Sequence, residues 1–289
     1  MGNHQIKVME EIVQGVIDAI EAGTAPWQRP WDTRGVACDP TNLATGREYK
    51  GLNRLWLWLR GDAIGCSYWV GFHQARKLGG KPKKGGGVWI LAPLTRKFED
   101  PETGETRPII SGFKPVCVFN ALAGVEGLEG KLPQPDDTEP RKLDAPALDQ
   151  FIQNTHAVIH FAGNRACYNK ILDQIEVPPR DQFHTPGGFY GTVLHELTHW
   201  TAHKSRLDRD PDKGKRGYAF EELVAELGAY FSSGRLNCPN EEENHASYLK
   251  SWLSSLRDDP KYLWQAASQA EKASDYLLQF QATEKEAQV

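Results

Sequence analysis

Long apolar runs are missing from this chain. No stretch approaches the roughly 20 residues that a membrane-spanning helix needs, so no membrane partner is expected. The first residues, MGNHQIKVMEEIVQGVIDAIEAG, read instead as an amphipathic helix, without the basic start, apolar centre and cleavage site of a secretory signal. Cysteine is sparse as well. Cys38, Cys66, Cys117, Cys167 and Cys238 are odd in number, scattered and never paired as CxxC. That pattern excludes a disulfide framework or a zinc knuckle and points to reduced thiols in a cytoplasmic protein. No repeat or low-complexity tract is present, which sets aside stacked-repeat architectures. A strong overall charge is lacking too, since 34 Lys and Arg against 38 Asp and Glu give a net −4. What remains, with 39% hydrophobic residues over 289 positions, is a globular chain long enough for two ordinary domains.

The near-neutral total hides an asymmetry. Residues 1–128 carry 16 basic and 13 acidic side chains, net +3, which leaves 18 basic and 25 acidic, net −7, for residues 129–289. Between the halves, the segment 129–146 (EGKLPQPDDTEPRKLDAP) has four prolines, many charges and little apolar content, the composition of an exposed linker. The sequence therefore predicts a domain over 1–128, a linker over 129–146 and a second domain over 147–289.

In the second half, His195-Glu196-Leu197-Thr198-His199 places two imidazoles and a carboxylate within a turn and a half of helix. Histidines four apart lie on one helix face and can reach one ion, while Glu196 can take the proton of a water activated there. Val193, Leu197 and Trp200 form an apolar stripe on the opposite side, which suits a helix with one face in a core and one in a cleft. A catalytic zinc usually takes a third protein ligand. His203 is excluded on distance, being about 12 Å from His195 along a straight helix. The next helical segment, Tyr218 to Phe231, offers Glu221, Glu222 and Glu226. Glu226 lies in an apolar run where a carboxylate is costly without a partner. Glu222 and Glu226 share a face, which assigns Glu222 to the metal and Glu226 to the free ring N–H of a ligating histidine. Glu221 is the competing ligand; one member of the adjacent pair reads as a solvated charge near a helix N-terminus.

In the first half the basic charge is concentrated. From Ala63 to Phe98 there are seven basic residues (Arg76, Lys77, Lys81, Lys83, Lys84, Arg96, Lys97) and no acidic one, around a glycine-rich turn from Gly79 to Gly87. Such a turn can offer backbone N–H and ammonium groups to phosphates. A helix over Trp69 to Leu78 is expected before it, and strands at Val88 to Ala92 and Phe113 to Phe119 after it. Six of the nine tryptophans lie here. Trp56 and Trp58 sit in an apolar segment and read as core, whereas Trp27, Trp31 and Trp69 neighbour Arg29 and the basic stretch. Basic residues mixed with aromatics suit a single strand, whose bases stack on rings while cations follow the phosphates.

Several separated motifs carry a resemblance over nearly the whole chain. WQRPW (27–31), ATGREYKGLN (44–53), WVGFHQA (69–75) and GKPKKG (80–85) resemble the N-terminal domain of ArdC-type antirestriction proteins, a domain that also occurs in plasmid primases. Asp173-Gln174-Ile175, Pro178, Phe183, His195 to Trp200, Ser205-Arg206-Leu207, Glu221 to Ala229, Tyr248 and Trp252 resemble that family's zincin-like metallopeptidase domain. The resemblance implies a cytoplasmic protein of conjugative plasmids or other mobile elements that binds single-stranded DNA and protects it from host restriction. It implies zinc, or another divalent transition metal such as manganese, on His195, His199 and Glu222 (or Glu221), with Glu196 catalytic. DNA contacts would come from Trp27, Arg29, Trp31, Arg47, Tyr49, Asn53, Trp69, Arg76, Lys81, Lys83 and Lys84. The expected fold is α+β: a small curved antiparallel sheet with helices, then a mostly helical zincin-like domain with short strands near Ala157 to Phe161 and Arg165 to Tyr168. Three functions follow: DNA protection with a peptidase-like domain, a DNA-binding protein whose metal is structural or regulatory, and a metalloprotease directed at a host DNA-associated protein. A nuclease or primase accessory fits less well, because two histidines and a glutamate suit a single zinc better than the carboxylate-rich two-metal sites of phosphoryl transfer.

Overall fold

The computed structural model describes residues 2–22, 39–62, 64–99, 104–133, 145–209, 214–236, 238, 253–254 and 256–281. The expected opening helix is present as α1 (Asn3–Glu21), which buries Val8, Met9, Ile12, Val13, Val16, Ile17 and Ile20 at helical spacing. It lies on a sheet of order β1-β2-β5-β4, formed by β1 (Thr41–Asn42), β2 (Tyr68–Gly71), β4 (Gly87–Glu99) and β5 (Thr106–Asn120). The pairing is antiparallel apart from the two-residue parallel contact of β1 with β2. The strands expected at Val88 and Phe113 are parts of the long β4–β5 hairpin, with a register shift between Leu94 and Thr95.

One local expectation is corrected. The stretch from Trp69 to Leu78 is not a single helix, because Trp69 and Val70 pair with Asn120 and Phe119 in β2. Only α3 (Phe72–Lys77) is helical, and the Gly71 N–H donates to Gln74 Oε1 at 2.9 Å to start it. Bulky β-favouring side chains beside a paired strand outweigh the helical spacing. The short β3 (Lys81–Pro82) pairs with β6 (Val125–Glu126). The apolar segment at Trp56 and Trp58 is helix α2 (Leu52–Asp62).

The second half holds α4 (Ala145–Asn154), a sheet of order β7-β9-β8, and the helices α5 (Pro186–Trp200), α6 (Gly214–Arg235) and α7 (Lys261–Leu277). Both expected short strands are there, as β7 (Val158–Phe161) and β8 (Cys167–Asn169), flanking β9 (Gln174–Val177). A short 3-10 turn then covers Leu278–Phe280. Of the linker, residues 134–144 lie outside those described. One apolar cluster lies wholly within the second half and a small one wholly within the first, but the largest is shared. The largest apolar cluster joins Ile12 and Val16 of α1, Leu55 and Trp56 of α2 and Leu91 of β4 to Leu223 and Phe231 of α6 and Ala266 of α7. A buried ion cluster crosses the same boundary: Arg54, 1% exposed, meets Asp39 at 3.6 Å, Glu48 at 3.3 Å and Glu271 at 3.4 Å. Arg235 pairs with Glu271 as well.

Candidate metal centre and nucleic-acid surface

Helix α5 starts where Thr185 accepts a hydrogen bond from the Gly188 N–H, with Pro186 in the first turn, where its missing N–H costs nothing. The expected stripe of Val193, Leu197 and Trp200 is buried. Helix α6 crosses α5 closely because Gly228 faces Thr198; a Cβ at residue 228 would lie 2.5 Å from Thr198 Cγ2. That approach brings the glutamates of α6 onto the histidines of α5.

One nitrogen of His195, one of His199 and one oxygen of Glu222 lie within 4.8 Å of one another. His195 Nε2 is 3.7 Å from Glu222 Oε2, and His199 Nε2 is 3.6 Å from Glu222 Oε1. Each ring's other nitrogen has its own carboxylate: His195 Nδ1 is 3.3 Å from Glu226 Oε1 and His199 Nδ1 is 3.4 Å from Glu221 Oε1. With Nδ1 held by these carboxylates, both Nε2 atoms face Glu222, where a bound cation would take their lone pairs. Glu221 is therefore no solvated helix-terminal charge. It is buried in mid-helix, and the buried Arg209 donates to it at 2.7 Å while also donating to Thr201 Oγ1 and the Thr198 carbonyl, both at 2.7 Å. Arg209 and Tyr218, whose hydroxyl bonds Glu222, escaped the sequence reading; an arginine ten residues past the motif carries no pattern of its own.

Charge in the centre is strongly coupled. Burial alone would lower the His195 imidazole, but the Glu226 carboxylate and hydrogen bonds to Glu222 and Glu226 hold it well above its ordinary value. Burial would raise Glu221 and Glu222, yet hydrogen bonds from His199 and Arg209 to the first, and from His195 to the second, keep both below the usual range. Glu196 goes the other way: burial raises its carboxyl against the pull of both imidazoles. Its Oε2 is buried with no hydrogen-bond partner among the described residues. Two imidazole nitrogens and one carboxylate, with a spare buried carboxylate oxygen alongside, fit a divalent cation that keeps an open position for water.

The candidate DNA residues separate. Trp27, Arg29 and Trp31 lie outside the described residues. Arg47, Arg76, Lys81, Lys83 and Lys84 are exposed. Tyr49 is half-buried and accepts a hydrogen bond from Asn42 Nδ2 at 3.1 Å. Trp69 and Asn53 are buried. Trp69 is 0% exposed and has no ring face for a base, and the buried Asn53 amide is spent on Leu91, donating to its carbonyl at 2.9 Å and accepting from its N–H at 3.1 Å. The glycine-rich turn also offers fewer backbone donors than expected. The N–H groups of Gly79, Gly80, Lys83 and Gly86 already donate to Arg76, Ala75, Gly124 and Lys83 carbonyls, so the turn presents mainly lysine ammoniums.

Comparison with known proteins covers both halves. A family model described as the N-terminal domain of anti-restriction factor ArdC matches residues 6–112, and one described as a zincin-like metallopeptidase matches residues 146–269. Two Escherichia coli proteins named DNA primase TraC are 33% and 32% identical over 94% of this chain. The chain spans only 20% and 27% of their lengths. Among solved structures, the metal-free antirestriction ArdC protein from plasmid R388 is 36% identical with a TM-score of 0.74, over 94% of this chain and 97% of that one. The Mn(II)-bound form of the same protein matches at 34% identity and a TM-score of 0.74, over 96% and 98%.

Proposed function

The chain belongs to the ArdC family of antirestriction proteins, with a zincin-like metallopeptidase domain in its second half, and we propose that it binds single-stranded DNA and shields incoming plasmid or mobile-element DNA from host restriction. The similarity to R388 ArdC over almost the whole of both chains carries this reading. The exposed Arg47, Arg76, Lys81, Lys83 and Lys84 support it, since a cationic surface follows a phosphate backbone. Replacing Lys81, Lys83 and Lys84 together with alanine should weaken binding of a labelled oligonucleotide and flatten the dependence of log K on log salt by about 2, at roughly 0.7 for each phosphate no longer neutralised. Anisotropy titrations over a salt series measure this; an unchanged slope places the strand elsewhere.

In the second half we assign a divalent ion, zinc or manganese, to His195, His199 and Glu222. Bound there, it would polarise a carbonyl and lower the pKa of a water. The chain's own part in peptide hydrolysis falls to Glu196, whose buried Oε2 takes a proton and returns it to the leaving amine; a carboxyl raised by burial is suited to both steps. A polypeptide of the recipient cell, such as a DNA-associated protein, is the substrate class. The second reading, a structural or regulatory metal, draws on the way the site ties α5 to α6 through Glu221, Glu222 and Glu226. His195→Ala or Glu222→Ala should abolish stoichiometric metal after dialysis. Glu221→Ala should weaken affinity by about 10- to 100-fold, as loss of an outer partner does. Metal analysis and titration calorimetry read both effects, and loss with Glu221→Ala but not Glu222→Ala would reverse the ligand assignment.

A further inference from the structure

With Trp69 buried, the described part of the first half needs another ring if a strand is to stack there. Helix α3 supplies one. Ala75 turns inward with 0% exposure, while Phe72, His73, Arg76 and Lys77 are exposed. Phe72 leaves 43% of its surface in solvent, an unusual position for a phenylalanine that packing alone does not require. Its ring is braced rather than loose, 5.5 Å from His73 in edge contact and 6.3 Å from Phe119. Beneath α3 a small cluster of Val70, Ala75, Phe119, Val125 and Leu128 fixes the helix.

Cations outnumber acids around this helix. Arg76 and Lys77 lie on α3 itself, and Lys81, Lys83 and Lys84 follow directly on the strand and turn, in a stretch with no acidic residue from Ala63 to Phe98. On the other flank, Asn42 Nδ2 donates to Gln74 Oε1 of α3 and to the Tyr49 hydroxyl, each at 3.1 Å, which anchors the loop bearing Arg47 beside the helix. The facing acids are Glu126, opposite Lys81, and Glu48, beside Arg47. A braced aromatic ring inside a cationic border is the arrangement that single-stranded nucleic acid recognises, bases on the ring and phosphates on the cations.

Resting on the single-strand reading above, we propose that Phe72 is a base-stacking platform, with His73, Arg76, Lys77 and the Lys81–Lys84 turn lining the path of the strand. The test is anisotropy with an oligothymidine of about 16 nucleotides and a duplex of the same length, using the full chain. Phe72→Leu, which keeps an apolar side chain on the small cluster, should weaken single-strand binding by roughly 5- to 100-fold with an unchanged salt slope, as loss of one stacked base does. Phe72→Trp should restore it, and the melting temperature should stay near that of the parent. Parent-like affinity in Phe72→Leu, while the parent itself binds the oligonucleotide, overturns the platform and leaves the single-strand reading standing. Failure of the parent to prefer the single strand to the duplex overturns both. A loss in Phe72→Leu that Phe72→Trp does not rescue also counts against stacking.

Discussion

Glu196→Gln is expected to lower hydrolysis of an unfolded polypeptide such as casein by about 10²- to 10⁴-fold, the usual worth of a positioned general base. Metal content and oligonucleotide affinity should not change. Glutamine keeps the shape of the side chain but cannot take a proton, and Glu196 donates no atom to the His195, His199 and Glu222 set. The decisive reading is taken in a restricting recipient: protection of incoming DNA should persist in Glu196→Gln if coating of the strand is sufficient. Protection that falls together with hydrolysis would instead make a host protein the target and peptide cleavage the protective step. Hydrolysis unchanged in the variant would remove Glu196 from the chemistry.

Arg54→Ala should destabilise the whole chain by about 3–5 kcal/mol, because it removes the cation that Asp39 meets in a largely buried site, while Glu271 keeps Arg235 and Glu48 reaches solvent. At roughly 2–4 °C per kcal/mol for a chain of this size, the melting temperature should fall by about 6–20 °C. Arg54 also donates to the Tyr49 carbonyl at 3.2 Å and lies 5.2 Å from the centre of the Phe231 ring. Burial pushes the Asp39 carboxyl up despite the nearby guanidinium. Thermal melts followed by circular dichroism measure the variant. A fall below about 1 kcal/mol for Arg54→Ala would mean that the cluster is no more than a surface network.

Much of the geometry of the candidate metal centre was legible because its spacings are helical. The four-residue separations of His195 from His199 and Glu222 from Glu226 stay on one face whatever the tertiary structure. The role of Glu221 was not legible. It sits one position from Glu222, about 100° round the helix, and only the crossing of α5 with α6 decides which imidazole nitrogen it meets. Arg209 was invisible for the same reason, reaching Glu221 from a loop. In the first half, local composition placed the basic residues at the surface but could not sort the rings. Trp69 lies beside the cations in sequence and under the sheet in space, whereas Phe72, three residues on, is exposed. The strands at Val88 to Ala92 and Phe113 to Phe119 followed from their apolar runs, but their pairing as one long hairpin did not. The parallel contact of β1 with β2 did not, since long-range strand pairing leaves little trace in a two-residue strand.

The apolar cluster that joins α1 and α2 to α6 and α7 bears on where such a chain can be divided. Recombination at the proline-rich segment would deliver two pieces, each with half of that cluster bare to water and with Arg54 parted from Glu271. Neither piece would be a sound starting point for selection. Each half is thus needed to cover that face of the other. Consistent with that, the alignment to the longer TraC primases runs through 94% of this chain while occupying only 20% and 27% of theirs.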